Sequence, residues 1–351
     1  MLTIVATLGR TAVVETETKF ALQRSVAVLK PLIISKFLAF YLDTPYVQSF
    51  ISDNAKGTAQ KGFYLSSVEQ LFVPLAPLAE QQRIVDRIES LFAKLDEAKE
   101  KAQTVLDSFE TRKAAILHKA FTGELTANWR EAHGMEMESW EHHKFSDICE
   151  IVRGGSPRPA GDPQYYGGNI PFMKVADITR NDNPYVSSTE YSIKEAGLKK
   201  TRMVEPNTLL LTNSGATLGV PAICTIKTTF NDGIAAFLGL EQKSLLFFYY
   251  FWMSKTSSLR SINMGAAQPN LNTQIIGDVE IDLPKQNERI EIARVLDDLF
   301  AKEQQAKEAA EAVLEKIDMM KKAILARAFR GELGTNDPND EPAVELLKKI
   351  I

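Results

Sequence analysis

The chain has 351 residues, of which 44% are hydrophobic and 25% are charged, and its formal net charge is -4. This length is enough for about two domains with extended elements, and the composition is that of an ordinary globular protein. The slight negative charge argues against a protein that binds nucleic acid through a uniformly basic surface, but it is compatible with local basic patches.

The cysteines and the apolar segments predict a cytoplasmic protein. Cys149 and Cys224 are the two cysteines, and neither lies in a spacing typical of a zinc site or a disulfide framework. The first ten residues carry no basic stretch before their apolar run, unlike a signal peptide. The longest apolar run, LLFFYYFWM at 245–253, is far shorter than the ~20 residues of a spanning helix. It predicts a buried helix, with a counterpart at 37–42.

A long internal repeat organises the chain. AILHKAF at 115–121 recurs as AILARAF at 323–329, each followed by Gly-Glu-Leu, with an offset of 208 residues. The same offset relates the two LFAK segments at 91–94 and 299–302. A repeat of this length indicates two copies of one structural unit, and two similar units suggest a target that is itself in two parts.

The two copies differ at their beginnings. Residues 6–9 match residues 216–219 at an offset of 210, which places Met1 opposite Leu211. Roughly seventy residues of the unit, equivalent to 140–210, therefore have no counterpart in the first copy. We predict six segments: a truncated first domain, a first helix, a linker, a complete second domain, a second helix and a tail. Their bounds are 1–78, 79–123, 124–137, 138–285, 286–331 and 332–351.

The two predicted helices carry apolar residues in alternating steps of four and three, the 3.5-residue period of a coiled-coil seam. Arg112 fills one slot of this pattern in the first helix, and Glu303 fills one slot in the second. Because a lone helix would expose its whole apolar stripe, we expect the helices to pair, antiparallel if each domain lies at an opposite end. The predicted seam comprises Ile84, Ile88, Leu91, Leu95, Val105, Phe109, Ile292, Leu296, Leu299, Val313, Ile317 and Ile324.

The complete second domain has strand-like runs, including 209–211 and 279–283, between loops rich in glycine and proline. These loops also carry cations, tyrosines, amides and hydroxyl groups, which are the side chains that contact phosphates and base edges. Each of these side chains taken alone is explained equally well as a solvated surface residue. The hypothesis of DNA binding therefore depends on their grouping. The candidate DNA-binding residues are Gly155, Ser156, Arg158, Tyr165, Tyr166, Lys174, Arg180, Ser214, Thr217, Gln268 and Asn270.

No catalytic constellation stands out in the sequence. The four histidines are not near a plausible nucleophile, and the loop at 154–157 lacks the ending of a phosphate-binding loop. The segment 182–185 is similar to part of an amino-methyltransferase motif, but it lacks the second proline and is better explained as a turn. We predict no cofactor, no metal site and no catalytic residue, and a methyltransferase remains a minor alternative.

Several segments together resemble the specificity subunit of type I restriction–modification systems, over essentially the whole chain. The resemblance is carried by 154–157, by YYGGNIPF at 165–172, by KVADI at 174–178, by SGATLG at 214–219 and by QPNL at 268–271. The most specific matches are the two helix ends at 114–125 and 322–333. They share the pattern AILxxAFxGEL, which is preceded by alanine in the first copy and by lysine in the second.

The resemblance implies an α+β protein in which mixed α/β target-recognition domains are joined by two long conserved helices that form an antiparallel coiled coil. It implies that each recognition domain reads one half of a bipartite DNA target. The chain would dock methyltransferase subunits, with restriction and translocase subunits joining through the complex, and would itself be non-catalytic. The truncated first domain implies weak or no base readout there, and self-association or a complementing fragment would be needed to restore it. The alternative is a coiled-coil scaffold whose globular ends bind protein.

Overall fold

The computed structural model describes residues 1–57, 61–180, 183–262 and 270–350. The strands are β1 (Leu2–Thr3), β2 (Val26–Ala27), β3 (Glu141–Lys144), β4 (Glu150–Arg153), β5 (Tyr166–Met173), β6 (Tyr185–Val186), β7 (Tyr191–Ile193), β8 (Arg202–Val204), β9 (Thr208–Thr212), β10 (Pro221–Cys224), β11 (Thr228–Phe230), β12 (Ile234–Leu238) and β13 (Glu280–Leu283). The helices are α1 (Ser35–Leu42), α2 (Pro45–Asp53), α3 (Leu65–Val68), α4 (Leu78–Asp107), α5 (Phe109–Phe121), α6 (Ala127–Ala132), α7 (Phe145–Ile148), α8 (Val175–Thr179), α9 (Leu245–Ile262), α10 (Thr273–Gly277), α11 (Gln286–Ala328) and α12 (Ala343–Ile350).

The chain divides into two compact units. One unit is formed by Met1–Asp107 with Ala306–Ile351, and the other by Ser108–Gln305. Each unit contains one of the two predicted globular domains together with part of each long helical region. Helix α11 continues from one unit into the other.

The second unit contains two sheets, with strand orders β4-β12-β9-β10-β6 and β7-β5-β11-β8. Strand β9 is buried along its whole length, which suits its uninterrupted run of leucines. Because successive side chains of a strand point to opposite faces, Leu209 and Leu211 contribute to one hydrophobic core and Leu210 to another. The core on the first face includes α9, and the core on the second includes Met173 and Phe230 of the four-stranded sheet.

Helix α9 contains the apolar run that the sequence predicts to be a buried helix. Phe247 and Trp252 are fully buried, and the side chains between them are at most 6% exposed. Phe145 packs against Phe251 and Trp252, with ring centroids 5.3 and 4.7 Å apart. The prediction of a buried helix here is confirmed, as is its shorter counterpart in the first copy, α1, which buries Phe37, Tyr41 and Leu42.

Within the second unit, α5 pairs with the first part of α11. Leu117 and Ala120 of α5 share a hydrophobic core with Ile292 and Leu296 of α11. Towards the beginning of α5, Arg112 Nη2 lies 2.8 Å from the Glu303 carboxylate. Residues later in α5 therefore contact residues earlier in α11, so the two helices are antiparallel.

Within the first unit, α4 pairs in the same sense with the last part of α11. Ile84 and Ile88 share a hydrophobic core with Leu325 and Ala328. Further along α4, the Asp96 carboxylate lies 2.6 Å from Lys321 Nζ. The predicted antiparallel pairing of the helical regions is therefore confirmed.

The predicted seam needs correction at Val313, which is 39% exposed, whereas Ile317 on the same helix is buried. A straight α-helix has 3.6 residues per turn, so a stripe assigned at 3.5 drifts around a helix of 43 residues. The first predicted helix is also divided at Ser108, between α4 and α5. The other seam positions are buried at Ile84, Ile88, Ile292, Leu296 and Ile317, and half-buried at Leu91, Leu95, Val105, Phe109, Leu299 and Ile324.

The internal repeat is visible in side-chain contacts. In the first unit the ring of Phe329 packs on Phe37 and Tyr41, at centroid distances of 5.0 and 5.1 Å. In the second unit the equivalent contacts join Phe121 to Phe247 and Phe251, at 5.5 and 5.4 Å. Both copies thus build the same junction between a short aromatic helix and a long paired helix.

A second junction is repeated as well. Lys321 Nζ lies 5.0 Å from the ring centroid of Phe92 in the first unit, and Lys113 Nζ lies 5.9 Å from that of Phe300 in the second. Phe40 packs on Phe92 as Tyr250 packs on Phe300. The first copy therefore keeps the helical framework of the unit.

Among the described residues, none of the helices combines the length and the apolar character that crossing a bilayer requires.

Candidate nucleic-acid interface

In the second unit the candidate residues gather where several strands end on one side of the two sheets. Strands β4 and β9 both end beside the start of β12, because both are antiparallel to it. Strands β5 and β11 are parallel and end together, and the Asn231 amide donates to the Met173 carbonyl at 2.9 Å. We call this surface the loop edge; it consists of residues 153–158, 174–175, 213–217, 231–233 and 270.

Asp232 is the centre of the loop edge. Its carboxylate accepts a hydrogen bond of 2.6 Å from Ser156 Oγ and lies 3.7 Å from Arg158 Nη2. Its backbone carbonyl accepts a hydrogen bond of 2.7 Å from Arg153 Nε. The Arg158 side chain is 70% exposed, so its guanidinium group is available to a ligand beside the Asp232 carboxylate.

Gly155 allows the loop after β4 to lie directly on a neighbouring segment. Its amide donates to the Phe230 carbonyl at 3.1 Å, and a Cβ atom at this position would lie 2.4 Å from the Lys200 carbonyl oxygen. Thr201 Oγ1 donates to the same Phe230 carbonyl at 2.8 Å. Any larger residue at 155 would push these segments apart. The role of Gly155 is therefore to bring the cations at 199–202 beside the loop edge.

The tyrosine pair has a mainly structural setting. Tyr166 donates a hydrogen bond of 2.9 Å to the Pro157 carbonyl and packs edge-on against Phe172. Burial raises the pKa of Tyr166 above its usual value. Tyr165 is half-buried, with Lys200 Nζ 5.9 Å from its ring centroid. Both rings support the 154–158 loop.

The two cations that follow β5 have intramolecular partners. Lys174 Nζ lies 3.1 Å from the ring centroid of Tyr191, and Arg180 Nη1 lies 2.5 Å from the Glu190 carboxylate. The Arg180 side chain is 66% exposed, and its pair with Glu190 is of the solvent-screened kind that contributes little to stability. A phosphate could therefore compete for this guanidinium group at small cost.

The hydroxyl and amide candidates lie at the other end of the loop edge. Ser214 and Asn270 form an isolated bridge, and the Asn213 amide donates to the Gly233 carbonyl at 2.9 Å. Thr217 is half-buried, and its carbonyl accepts a hydrogen bond from Thr212. Gln268 lies outside the described residues. The structure thus brings Gly155, Ser156, Arg158, Lys174, Ser214 and Asn270 onto one edge, while Arg180 and the tyrosines lie beside it.

A polar cleft of about 940 Å³ adjoins Thr217, between α5, α9 and the β9–β10 connection. It is lined by cations that the sequence analysis did not select, Lys113, Lys255 and Arg260. Arg260 Nε donates a hydrogen bond of 2.9 Å to the Leu218 carbonyl. No local motif marks these residues, because Lys113 lies on α5 whereas Lys255 and Arg260 lie on α9, more than 100 positions later.

A buried charge cluster connects the sheet domain to α11. Glu288 is fully buried, and its carboxylate accepts hydrogen bonds from Thr126 at 2.7 Å, Arg130 at 2.5 Å and Trp140 Nε1 at 3.0 Å. Arg130 Nη2 also donates to the Gly123 carbonyl at 2.5 Å. This cluster joins the end of α5, helix α6 and the segment before β3 to one point on α11.

The short sheet formed by β3 and β13 contains a hydrogen-bonded pair, His142 and Asp282, in which the pKa of the histidine is shifted. His142 Nδ1 lies 2.8 Å from Asp282 Oδ1, and this hydrogen bond raises the pKa of His142, with Glu280 adding to the effect. Because the folded-state pKa is the higher one, the pair stabilises the sheet fully below the unfolded value of about 6.5 and loses that contribution as pH rises through the folded value.

We therefore expect an NMR titration to give His142 a pKa above about 6.5. The Asp282→Asn variant should bring it back towards that value, since the amide cannot stabilise the imidazolium as a carboxylate does. An unchanged His142 titration in the Asp282→Asn variant would contradict the assigned partner.

The loop edge offers hydrogen-bond donors and exposed cations on a rigid base. Within the described residues, no group of three or more histidine, cysteine or acidic side chains is arranged to hold a metal ion. Burial raises the pKa of the Cys149 thiol to about 12, which leaves it protonated and a poor nucleophile at neutral pH. The arrangement suits recognition of an anionic surface.

Comparison with known proteins decides the family. The sequence model described as "Type I restriction modification DNA specificity domain" matches residues 2–106 and 137–316, well over half of the chain. The chain belongs to this family. The resemblance carried by the sequence motifs is therefore confirmed.

Curated specificity subunits of type I restriction enzymes are similar to this chain. The EcoBI subunit from Escherichia coli is 35% identical over 37% of this chain and 28% of its own length. The MjaIX subunit from Methanocaldococcus jannaschii is 32% identical over 51% of this chain and 42% of its own length. The EcoKI subunit from Escherichia coli K12 is 23% identical over 92% of this chain and 73% of its own length. The chain thus matches less than half of the first two relatives.

Two solved structures share the fold of this specificity-domain chain. The HsdS subunit from Thermoanaerobacter tengcongensis has a TM-score of 0.59 at 22% identity, over 85% of this chain and 70% of that one. A chain solved in work on complex assembly and conformational transition of the type I restriction–modification system has a TM-score of 0.62 at 21% identity, over 86% and 72%. The predicted fold class, α+β with paired long helices, is confirmed.

Proposed function

We propose that this chain is the DNA-specificity subunit of a type I restriction–modification complex and that the loop edge of its second unit reads one half of the target. The exposed Arg158, whose guanidinium group lies beside the Asp232 carboxylate at the junction of both sheets, is the observation that carries the proposal. An arginine at such an exposed position can bond a guanine edge with two hydrogen bonds.

The other residues of the site divide by their surroundings. Ser214 and Asn270 supply short donors and acceptors for base edges, while Lys174, Arg180 and the cations of the adjoining cleft supply positive charge for phosphates. The negative net charge does not oppose this division, because a local group of cations can attract phosphates whatever the net charge of the chain.

We further propose that the predicted segments at 138–285 and 1–78 correspond to a working and an incomplete recognition domain. Residues 1–78 contain no counterpart of the loop at 154–158, so in this proposal base readout by these residues is weak or absent. The paired helices α4, α5 and α11 would dock the methyltransferase subunits that carry the catalytic chemistry, and restriction subunits would join through them.

The proposal is tested by selecting duplexes from a random library with the full chain assembled with its methyltransferase subunits. One enriched half-site supports a single reader. Two enriched half-sites would contradict weak readout by the first copy. Retention without enrichment, or with no salt dependence, would instead support the alternative of a protein-binding scaffold.

Arg158→Ala should lower affinity for the selected duplex by about 1–3 kcal/mol and relax preference at one base pair. The matched control is Arg294→Ala, which removes an equally charged side chain from the exposed face of α11, where it pairs with Glu291 and Asp298. Binding titrations at several salt concentrations measure both effects. If the two variants lose the same affinity on every sequence, Arg158 contributes charge only and does not read a base.

A further inference from the structure

The polar cleft of the second unit has a counterpart in the first unit. Both clefts lie where a short aromatic helix meets a long paired helix, and Phe121 lines the one as its repeat equivalent Phe329 lines the other. The lining differs one turn earlier on the long helix, where His118 of the second unit is equivalent to Ala326 of the first. The repeat therefore supplies two versions of one cleft on the same framework.

The cleft of the first unit is mainly apolar. Its volume is about 530 Å³, and its other wall contains Tyr41, Tyr46 and Phe72. Arg330 also lines it, and the Arg330 guanidinium group forms two hydrogen bonds to the Glu332 carboxylate, at 2.7 and 2.9 Å. The positive charge of that arginine is therefore compensated within the chain.

A lysine that both copies share shows the same difference in charge compensation. In the first unit, Lys321 Nζ lies 2.6 Å from the Asp96 carboxylate. Lys113 is the repeat equivalent of Lys321, and Gln304 occupies the position equivalent to Asp96. Both lysines lie over a phenylalanine ring of the long helix with which their own helix pairs. The framework therefore keeps the lysine whether or not a carboxylate faces it.

The cleft of the second unit is lined by cations that no carboxylate compensates. Of the described residues, no acidic side chain lies within ion-pair distance of Lys113, Lys255 or Arg260. Glu110 also lines the cleft, but its side chain is exposed to solvent. Uncompensated cations gathered in a cleft focus a positive potential there, so they attract anions.

These cations are restrained by contacts within the second unit. Lys113 and Lys255 are half-buried, and Lys255 Nζ lies 5.0 Å from the ring centroid of Phe251. Arg260 is held through its hydrogen bond to the Leu218 carbonyl. Side chains that are restrained before binding lose less conformational entropy when a ligand orders them.

The size and charge of the cleft indicate the class of ligand. Its volume of about 940 Å³ lies within the range of small-molecule sites, about 300–1,000 Å³, and exceeds what one inorganic phosphate ion would fill. Ammonium and guanidinium groups are common partners of phosphoryl oxygens, and Thr179 and Ser257 add hydroxyl groups to the lining. We propose that this cleft binds a phosphate-bearing ligand of nucleotide size.

Two sources supply this chemistry: a free phosphorylated compound such as a nucleotide, and the backbone of a DNA strand that continues past the loop edge. The second source rests on the proposed function, in which the cleft cations contribute only general positive charge, and the first source does not. In both cases the cleft of the first unit is expected to bind no phosphate, because it is mainly apolar and its arginine is already paired.

The test is acetylation of lysines in the full chain, followed residue by residue with mass spectrometry. Inorganic pyrophosphate is the free probe, and a duplex of mixed sequence is the strand probe. Lys113 and Lys255 report on the cleft. Lys321 is the matched control, because it is the repeat equivalent of Lys113 and is paired with Asp96.

We expect pyrophosphate to slow the acetylation of Lys113 and Lys255 and to leave that of Lys321 unchanged. The double variant Lys113→Gln, Lys255→Gln should bind pyrophosphate at least about tenfold more weakly, since two charge-assisted hydrogen bonds are lost. The Lys321→Gln variant should bind it as the unsubstituted chain does. Because the acetylation experiment uses the unsubstituted chain, it decides the question even if a variant fails to fold.

The outcomes separate the two sources and the two proposals. Slower acetylation of the cleft lysines with the duplex but not with pyrophosphate would identify the DNA strand as the source. Slower acetylation with pyrophosphate would support the cleft even in a chain that selects no DNA half-site. Unchanged acetylation with both probes would overturn the cleft while leaving base readout at the loop edge intact. Equal slowing at Lys321 would also overturn it, because general ionic screening would then explain the effect.

Discussion

Replacement of Arg130 by methionine is expected to lower the free energy of unfolding by about 3–5 kcal/mol. The reason is that Glu288 is fully buried and relies on Arg130 as its charged partner. Without the guanidinium group, a buried carboxylate is left with the neutral donors Thr126 and Trp140. The loss would be measured by urea denaturation followed by circular dichroism.

The double variant Arg130→Met, Glu288→Leu separates the loss of a favourable interaction from the cost of an unpaired charge. Replacing both partners with apolar side chains removes the buried charge, so stability should recover substantially. Arg294→Met, at an exposed position of α11, is the control and should change stability by less than about 0.5 kcal/mol. If Arg130→Met and the double variant unfold at the same urea concentration, the buried charge is not the source of the loss.

Leu296→Asp is expected to destabilise the second unit by several kcal/mol, on the order of 4–5 or more. Leu296 is fully buried in the core where α5 meets α11, together with Leu117 and Ala120. A carboxylate there would lie among the apolar side chains of that core, so it would either lose its solvation or open the helix interface. Denaturation should show the loss, and assembly with methyltransferase subunits should fail on size exclusion.

Ala301→Asp introduces the same side chain at an exposed position one and a half turns further along α11 and should leave both stability and assembly nearly unchanged. Leu299→Asp, at a half-buried seam position, should fall between the two. A Leu296→Asp chain that unfolds like the Ala301→Asp control would contradict the packing of α5 on α11.

The helical regions could be predicted because their signal is local and long. Apolar residues at a regular spacing continue through α4, α5 and α11, so even the antiparallel pairing followed from the repeat. The burial of single positions along these helices could not be predicted in the same way. Val313 fits the heptad in sequence but is exposed, because the stripe of a 3.6-residue helix drifts away from a 3.5-residue pattern.

The site was predictable in its residue types but not in its organisation. Ser156, Arg158 and Ser214 stand out as polar residues in glycine-containing loops, and the structure does place them on one edge. Asp232 does not stand out, since an acidic residue in a turn is common and its partners are 74 or more positions away. The order of the strands in the sheets brings Asp232 close to these partners. The spacing of apolar residues in the sequence does not reveal that order.

The Arg112–Glu303 pair has a consequence for how the helices can move. A slide of α5 along α11 by one heptad, ~7 residues, would bring Arg112 opposite apolar side chains such as Leu296. That displacement would separate the guanidinium group from its carboxylate and bury it among apolar side chains. Sliding from one register to the next is therefore opposed by an energy barrier. The pair therefore favours one axial register of the two helices. Any signal passed along these helices would travel as rotation or bending in preference to axial translation.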